Sequence, residues 1–254
     1  MKCTIVIIST LVVFMYILIN KYKSSETFVN EYPQYTIFCL NMNKSTNRWN
    51  YIKKYKQPSL NINRFIAYDG QKLNIENLIK NKYLYRYNTL EYGQIGCAYS
   101  HIKLWEKCIK LPYSYYVILE DDVILPTQLN KKIECILKNA PINWDIIYLG
   151  GCYVKGTIVK KQFIKPTILT NRYNLCTHAY IIHKQALQKC INIMKPIQYP
   201  IDNQLRKYYR TLNVYFYYKN IVKQNKAFNT TIAEKHRLKK YKIFHKYANT
   251  IDIL

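Results

Sequence analysis

YYVILEDDV, residues 115–123, is an apolar run that ends on three consecutive acids. Tyr115–Leu119 carries no polar alternation, the pattern of a strand covered on both faces in an α/β sheet. In such sheets the ligand crevice opens at the carboxyl ends of the strands, which is where Glu120, Asp121 and Asp122 fall. Side chains alternate along an extended chain, so Glu120 and Asp122 share one side and Asp121 takes the other. Adjacent carboxylates repel unless a cation neutralises them. Hard oxygen ligands one residue apart suit Mg²⁺ or Mn²⁺ held against a diphosphate. The plainer alternative is a solvated turn after a strand. The chain makes the metal reading worth pursuing, because only 14 of its 254 residues are acidic and 39 are basic.

Strand-like and helix-like patterns alternate on either side of this run. Tyr35–Asn41 is β-rich, 45–56 fits a basic helix, and Arg64–Tyr68 is a strand closed by the turn pair Asp69-Gly70. In 92–110 apolar residues recur near helical spacing, with Trp105 as a core anchor. A helix at 127–138, strands at 144–149 and 176–182, and helices near 184–194 and after Asp202 complete the pattern, with Trp144 as a second core anchor. This alternation predicts an α/β sandwich around a mostly parallel central sheet.

Composition excludes several classes. Six glycines and no GxGxxG or GxxxxGK[ST] run argue against the Rossmann and P-loop phosphate sites. A net charge of +25 would attract a polyanion, but lysine is spread along the chain, so composition bias and a solvated surface explain it as well. No CxxC pair points to structural zinc. Setting Cys3 aside leaves seven cysteines, enough for one or two disulfides that spacing does not assign. Cys3–Ile19 is an almost wholly apolar segment of 17 residues flanked by Lys21 and Lys23. It reads as an uncleaved signal-anchor, one hydrophobic helix over 1–23, followed by a short stem over 24–34. The globular domain then runs from 35 to 254, with a basic tail from about 235.

Several segments resemble glycosyltransferase family 25, which includes lipopolysaccharide and collagen galactosyltransferases. LNMNKSTNR (40–48) is similar to its first-strand motif, RFIAYDG (64–70) to its FxAxDG segment, and EYGQIGCAYSHIKLWEKC (91–108) to its GEIGCxxSHxxxWE block. ILEDDV, WDIIYLGG, THAYII, PIDNQL and QNKAFNTTI follow in the family's order, so the resemblance covers about 36–232. It implies a GT-A type fold, a UDP-sugar donor (commonly UDP-galactose), a Mn²⁺ or Mg²⁺ cofactor and inversion at the anomeric carbon. The acceptor would be a glycan, lipopolysaccharide or glycoprotein.

On this resemblance Glu120, Asp121 and Asp122 form the metal motif, and Asp202 is the candidate base for the acceptor hydroxyl. A helix N-cap is the rival role for Asp202. Donor contacts are expected from Asn41, Arg48, Asp69, Gly70, Ser100, His101 and His178. Three have rivals, Arg48 a surface arginine, Asp69 a turn aspartate and His101 a plain surface histidine, and His178 is expected to line the sugar site or to ligate the metal. Asn43 and Asn47 depart from the aspartates the family often carries. Both Asn43-Lys-Ser and Asn229-Thr-Thr are glycosylation sequons, and Asn43 is expected to stay unmodified if it borders the nucleotide. The resemblance places the domain in the ER or Golgi lumen, anchored to the membrane by its first helix, with no nucleic-acid partner. The alternatives are a catalytically silent scaffold of the same fold and a basic polyanion-binding protein.

Overall fold

In the computed structural model residues 34–167 and 173–228 are described. The expected signal-anchor, most of the stem and the basic tail lie outside them. Among the described residues no helix is long and apolar enough to cross a membrane.

In chain order the elements are β1 (Tyr35–Met42), α1 (Thr46–Tyr55), β2 (Asn63–Ala67), α2 (Ile75–Lys80), α3 (Tyr92–Ile109), β3 (Tyr115–Glu120) and β4 (Val123–Ile124). Then come α4 (Leu129–Asn139), β5 (Ile146–Tyr148), β6 (Gly156–Val159), β7 (Phe163–Pro166), β8 (Ala179–His183), α5 (Leu187–Met194), α6 (Ile201–Lys207), β9 (Val214–Tyr217) and β10 (Lys223–Gln224). Eight strands form one sheet in the order β2-β1-β3-β8-β5-β9-β7-β6, and β4 pairs with β10 beside it.

The strand residues divide by parity, as a sheet buried on both faces requires. Phe38, Leu40, Tyr116, Ile118, Ile146, Tyr148, Tyr180 and Ile182 pack with α3, α5 and α6. Ile37, Cys39, Val117, Leu119, Ile147, Ala179 and Ile181 pack on the opposite side with Ile52 of α1 and Leu129, Ile133 and Ile136 of α4. The result is a three-layer α/β/α sandwich. Trp105 is fully buried and Trp144 nearly so, the anchor roles expected of them.

The sheet is mixed, which corrects the expectation of a mostly parallel one. Pairs β1–β2, β1–β3 and β5–β9 are parallel. Pairs β3–β8, β5–β8, β7–β9 and β6–β7 are antiparallel. The reason lies in the connection. A parallel return needs a crossover to the far end of the sheet, normally a helix. Among the described residues between β5 and β8 the chain forms the β6–β7 hairpin and no helix, and β8 starts at the cleft side, so it runs backwards between β3 and β5.

Close backbone approach fixes one wall of the cleft. The Asp69-Gly70 turn after β2 lies against the first turns of α3, where a Cβ on Gly70 would stand 1.7 Å from the Tyr92 carbonyl oxygen. A Cβ on Gly96 would stand 2.6 Å from the Gly70 nitrogen. Both obstacles are backbone, so no rotamer relieves them. Gly70→Ala is expected to cost about 3 kcal/mol or more, read as a lower urea midpoint. A midpoint equal to that of the unaltered chain would contradict this packing.

Candidate active site

Strands β2, β1 and β3 end together at a cavity of about 330 Å³, walled also by α3 and by Gln224, Asn225, Lys226 and Phe228. Asp69, Gly70, Ser100, His101, Arg48 and all three acids of the 120–122 run line it. A second cavity of about 300 Å³ lies beside Asp202, lined by Gln94, Thr177, Pro200 and Asn203 among others. Cys97, Glu120 and Gln224 line both, so the two chambers meet at these side chains.

The three acids have different surroundings, as strand alternation predicts. Asp121 is engaged on both oxygens: Arg48 Nη1 donates to one at 2.8 Å and Asn41 Nδ2 to the other at 2.6 Å. Asn41 is itself wholly buried and accepts from Arg64 Nε at 2.8 Å. Arg48 sits 5.4 Å from the Phe228 ring centroid, a cation–π distance. Asp121 is therefore the acid least free to take a cation, and its visible work is to hold Arg48 and Asn41.

Glu120 accepts from the Thr177 hydroxyl at 2.9 Å, and its carboxylate lies 3.6 Å from His101 Nε2. Burial pushes the Glu120 carboxyl up, but His101, His178 and the Thr177 hydroxyl outweigh burial and hold it below its ordinary value. Asp122 goes the other way. Burial first, then Glu120 and Asp121, push its carboxyl up to about 7. One oxygen accepts a 3.3 Å bond from Gln224 Nε2, and the other is buried with no hydrogen-bond partner. An orphaned carboxylate oxygen beside a second carboxylate is a deficit of positive charge.

Asp202 stands in the first turn of α6. It accepts from its neighbour Asn203 N–H at 2.7 Å and from Cys176 N–H at 3.2 Å. No side-chain cap closes this helix, whose N-cap position is Pro200, so the N-cap role is not the one Asp202 plays. Cys176 is disulfide-bonded to Cys152, the pairing that spacing left open. That bond anchors the segment whose N–H meets the base candidate.

The remaining candidates separate. Asp69 accepts from Gln71 N–H at 3.1 Å and pairs with Lys44 at 2.8 Å, at the rim of the larger cavity. Lys44 holds its carboxyl below the usual range. Ser100 is nearly buried; its hydroxyl donates to the Gly96 carbonyl at 2.6 Å and accepts from Tyr68 N–H at 2.8 Å, which pins the glycine turn to α3. His101 is no surface histidine: it is fully buried, with Nδ1 2.8 Å from the Tyr180 hydroxyl. His178 lines neither chamber. Its Nε2 lies 3.2 Å from the Val222 carbonyl, beside Gly150, and burial lowers its imidazole against the pull of Glu120. Sequence reading gave no role to Cys97, Thr177 or Gln224. The signal for them is proximity across the fold, which local pattern does not carry.

The profile of glycosyltransferase family 25 (LPS biosynthesis protein) matches residues 34–205. A glycosyltransferase 25 family member of Aedes aegypti is 26% identical over 182 residues, 66% of this chain and 30% of that protein. Human procollagen galactosyltransferase 2 is 26% identical over 168 residues, 61% of this chain and 27% of the relative. The mouse inactive glycosyltransferase 25 family member 3 is 27% identical over 110 residues, 42% of this chain and 19% of the relative. The matched segments thus span less than a third of these relatives' length. The profile covers more than half of the sequence, and every segment quoted above up to PIDNQL lies within it: the chain belongs to glycosyltransferase family 25.

Proposed function

We propose that this chain is an inverting glycosyltransferase of GT-A type. It moves a sugar, galactose on the family's pattern, from a UDP-sugar to a hydroxyl of a glycan or glycoprotein. The observation that carries this reading is the pair of chambers meeting at Glu120, with the orphaned Asp122 oxygen on one side and Asp202 on the other.

The residues fit a divalent cation, Mn²⁺ or Mg²⁺. Glu120 and Asp122 offer hard oxygens, and the raised Asp122 carboxyl marks a place short of positive charge. When bound, such an ion neutralises charge that gathers on a departing diphosphate. Lys44, Arg48 and Lys226 line the same chamber and suit a polyanionic donor. Asp121 keeps the Arg48 guanidinium in place. In the smaller chamber Asp202 takes the proton of the acceptor hydroxyl. The hydroxyl oxygen bonds to the anomeric carbon from the face opposite the diphosphate. The bond from that carbon to the phosphate oxygen breaks, its electron pair leaves with UDP, and configuration inverts.

The Cys152–Cys176 disulfide supports work in an oxidising compartment, in line with a lumenal domain carried by a signal-anchor. A catalytically silent scaffold is the second reading, favoured by the match to a relative named as inactive. Retention of Glu120, Asp122 and Asp202 speaks against it. A screen of UDP-sugars for Mn²⁺-dependent hydrolysis or transfer separates the two. Turnover of one donor, strongest with UDP-galactose, is expected; no turnover of any donor by folded protein would overturn the enzymatic reading.

A further inference from the structure

Cys97 and His101 stand one helical turn apart on α3 and so present their side chains on one face. Glu120, at the end of β3, faces them. The Cys97 Sγ, a His101 ring nitrogen and a Glu120 oxygen all lie within 4.8 Å of one another. His101 Nε2 is completely buried and has no hydrogen-bond partner. Its 3.6 Å distance to Glu120 Oε1 is too long for a hydrogen bond. It is close to the spacing of about 3.4 Å that nitrogen and oxygen ligands take up around tetrahedral zinc.

We propose that Cys97, His101 and Glu120 form a second cation site, specific for a thiophilic ion such as Zn²⁺. The ligand set decides the metal. Thiolate and imidazole suit Zn²⁺, whereas Mg²⁺ and Mn²⁺ prefer oxygen. The site also has the outer support that zinc-bound histidines usually show. The Tyr180 oxygen accepts from Trp105 Nε1–H at 2.9 Å and lies 2.8 Å from His101 Nδ1. Metal binding selects the tautomer in which Nδ1–H donates to the Tyr180 oxygen and the Nε2 lone pair faces the cavity. On binding, the Cys97 thiol gives its proton to solvent, so about one proton is released per ion. Cys97 and Glu120 border both chambers, so the fourth coordination position opens towards them.

The test uses the full chain stripped of metal and titrated with Co²⁺, whose thiolate charge-transfer and tetrahedral visible bands report the ligands directly. The bands are expected to saturate at one ion per chain and to be bleached by Zn²⁺. Cys97→Ser should abolish the charge-transfer band and His101→Gln should weaken binding at least tenfold, while Asp122→Asn keeps the band. Absence of the band in the unaltered folded chain overturns the proposal, and so does its persistence in Cys97→Ser. Should Cys97→Ser fail to fold, the unaltered chain still decides. Zn²⁺ is expected to slow iodoacetamide modification of Cys97 at least tenfold and to leave the exposed Cys135 unaffected. Equal rates with and without zinc overturn the proposal. Neither readout involves donor turnover, so failure here and failure of the transferase reading are separate results.

Discussion

Asp122→Asn is expected to cut transfer sharply and at the same time make the metal-free chain more stable above pH 7. Both effects come from one carboxyl. Asp122 is pushed up to about 7 from an ordinary 3.8 by burial, then by Glu120 and Asp121. The folded state therefore holds its proton more tightly than the unfolded state does. Stability falls as pH rises from about 4 to about 7, and the loss is complete above that. An amide of the same shape has no proton to lose. At pH 8 without metal the variant should exceed the unaltered chain by on the order of 2–4 kcal/mol, and the two should converge at pH 4. Added Mn²⁺ should stabilise the unaltered chain at pH 8 and leave the variant where it was. Transfer should fall by about 10²–10⁴, the size of several kcal/mol of lost charge stabilisation. Denaturant titrations at the two pH values, with and without Mn²⁺, check the stability half. A variant less stable than the unaltered chain at pH 8 would contradict it.

Asp202→Asn carries the second large effect, and it separates binding from chemistry. The asparagine side chain retains a carbonyl oxygen to accept from the Asn203 N–H, so α6 should keep its start. Its amide NH₂ no longer accepts from Cys176 N–H, which costs about 1 kcal/mol of stability. What the proposed mechanism loses outright is the base. A positioned general base contributes about 10²–10⁴ to rate, so kcat should drop by that factor while KM for the donor stays within about twofold. On the proposed mechanism the donor binds in the other chamber. Loss of donor affinity with kcat intact would assign Asp202 to the nucleotide and remove it from the acceptor side.

How much of this was legible depended on burial. The strands Tyr35–Met42, Tyr115–Glu120 and Ala179–His183 show in the sequence because each is apolar on both faces, a pattern that a helix or loop of that length rarely sustains. The β6–β7 hairpin escaped because it lies at the sheet's edge, with Gly156–Ile158 exposed and no alternation to read. Its absence from the reading is why the sheet looked mostly parallel. The acidic run was found because three adjacent carboxylates are costly on their own, whatever the fold.

His101, expected to face the donor pocket, does line the larger cavity, but its full burial was not legible. Counting helical periods treats an imidazole as polar, and nothing local announces that Tyr180 and Trp105 supply a polar partner inside the core. His178 was a candidate for the sugar site or the metal because it directly precedes a strand, and that strand does start at the cleft. Its ring is instead held by the Val222 carbonyl, from a segment 44 residues further on. Cys97, Thr177 and Gln224 come from three distant parts of the chain, and only the sheet order brings them to Glu120.

The central claim is that Glu120 and Asp122 await a divalent ion that arrives with a nucleoside diphosphate. Calorimetric titration of Mn²⁺ into the metal-free chain, with UDP present, tests it most directly. One ion per chain should bind, with at least tenfold weaker binding in Asp122→Asn. No heat of binding from the folded chain, or equal binding by the variant, would contradict the account.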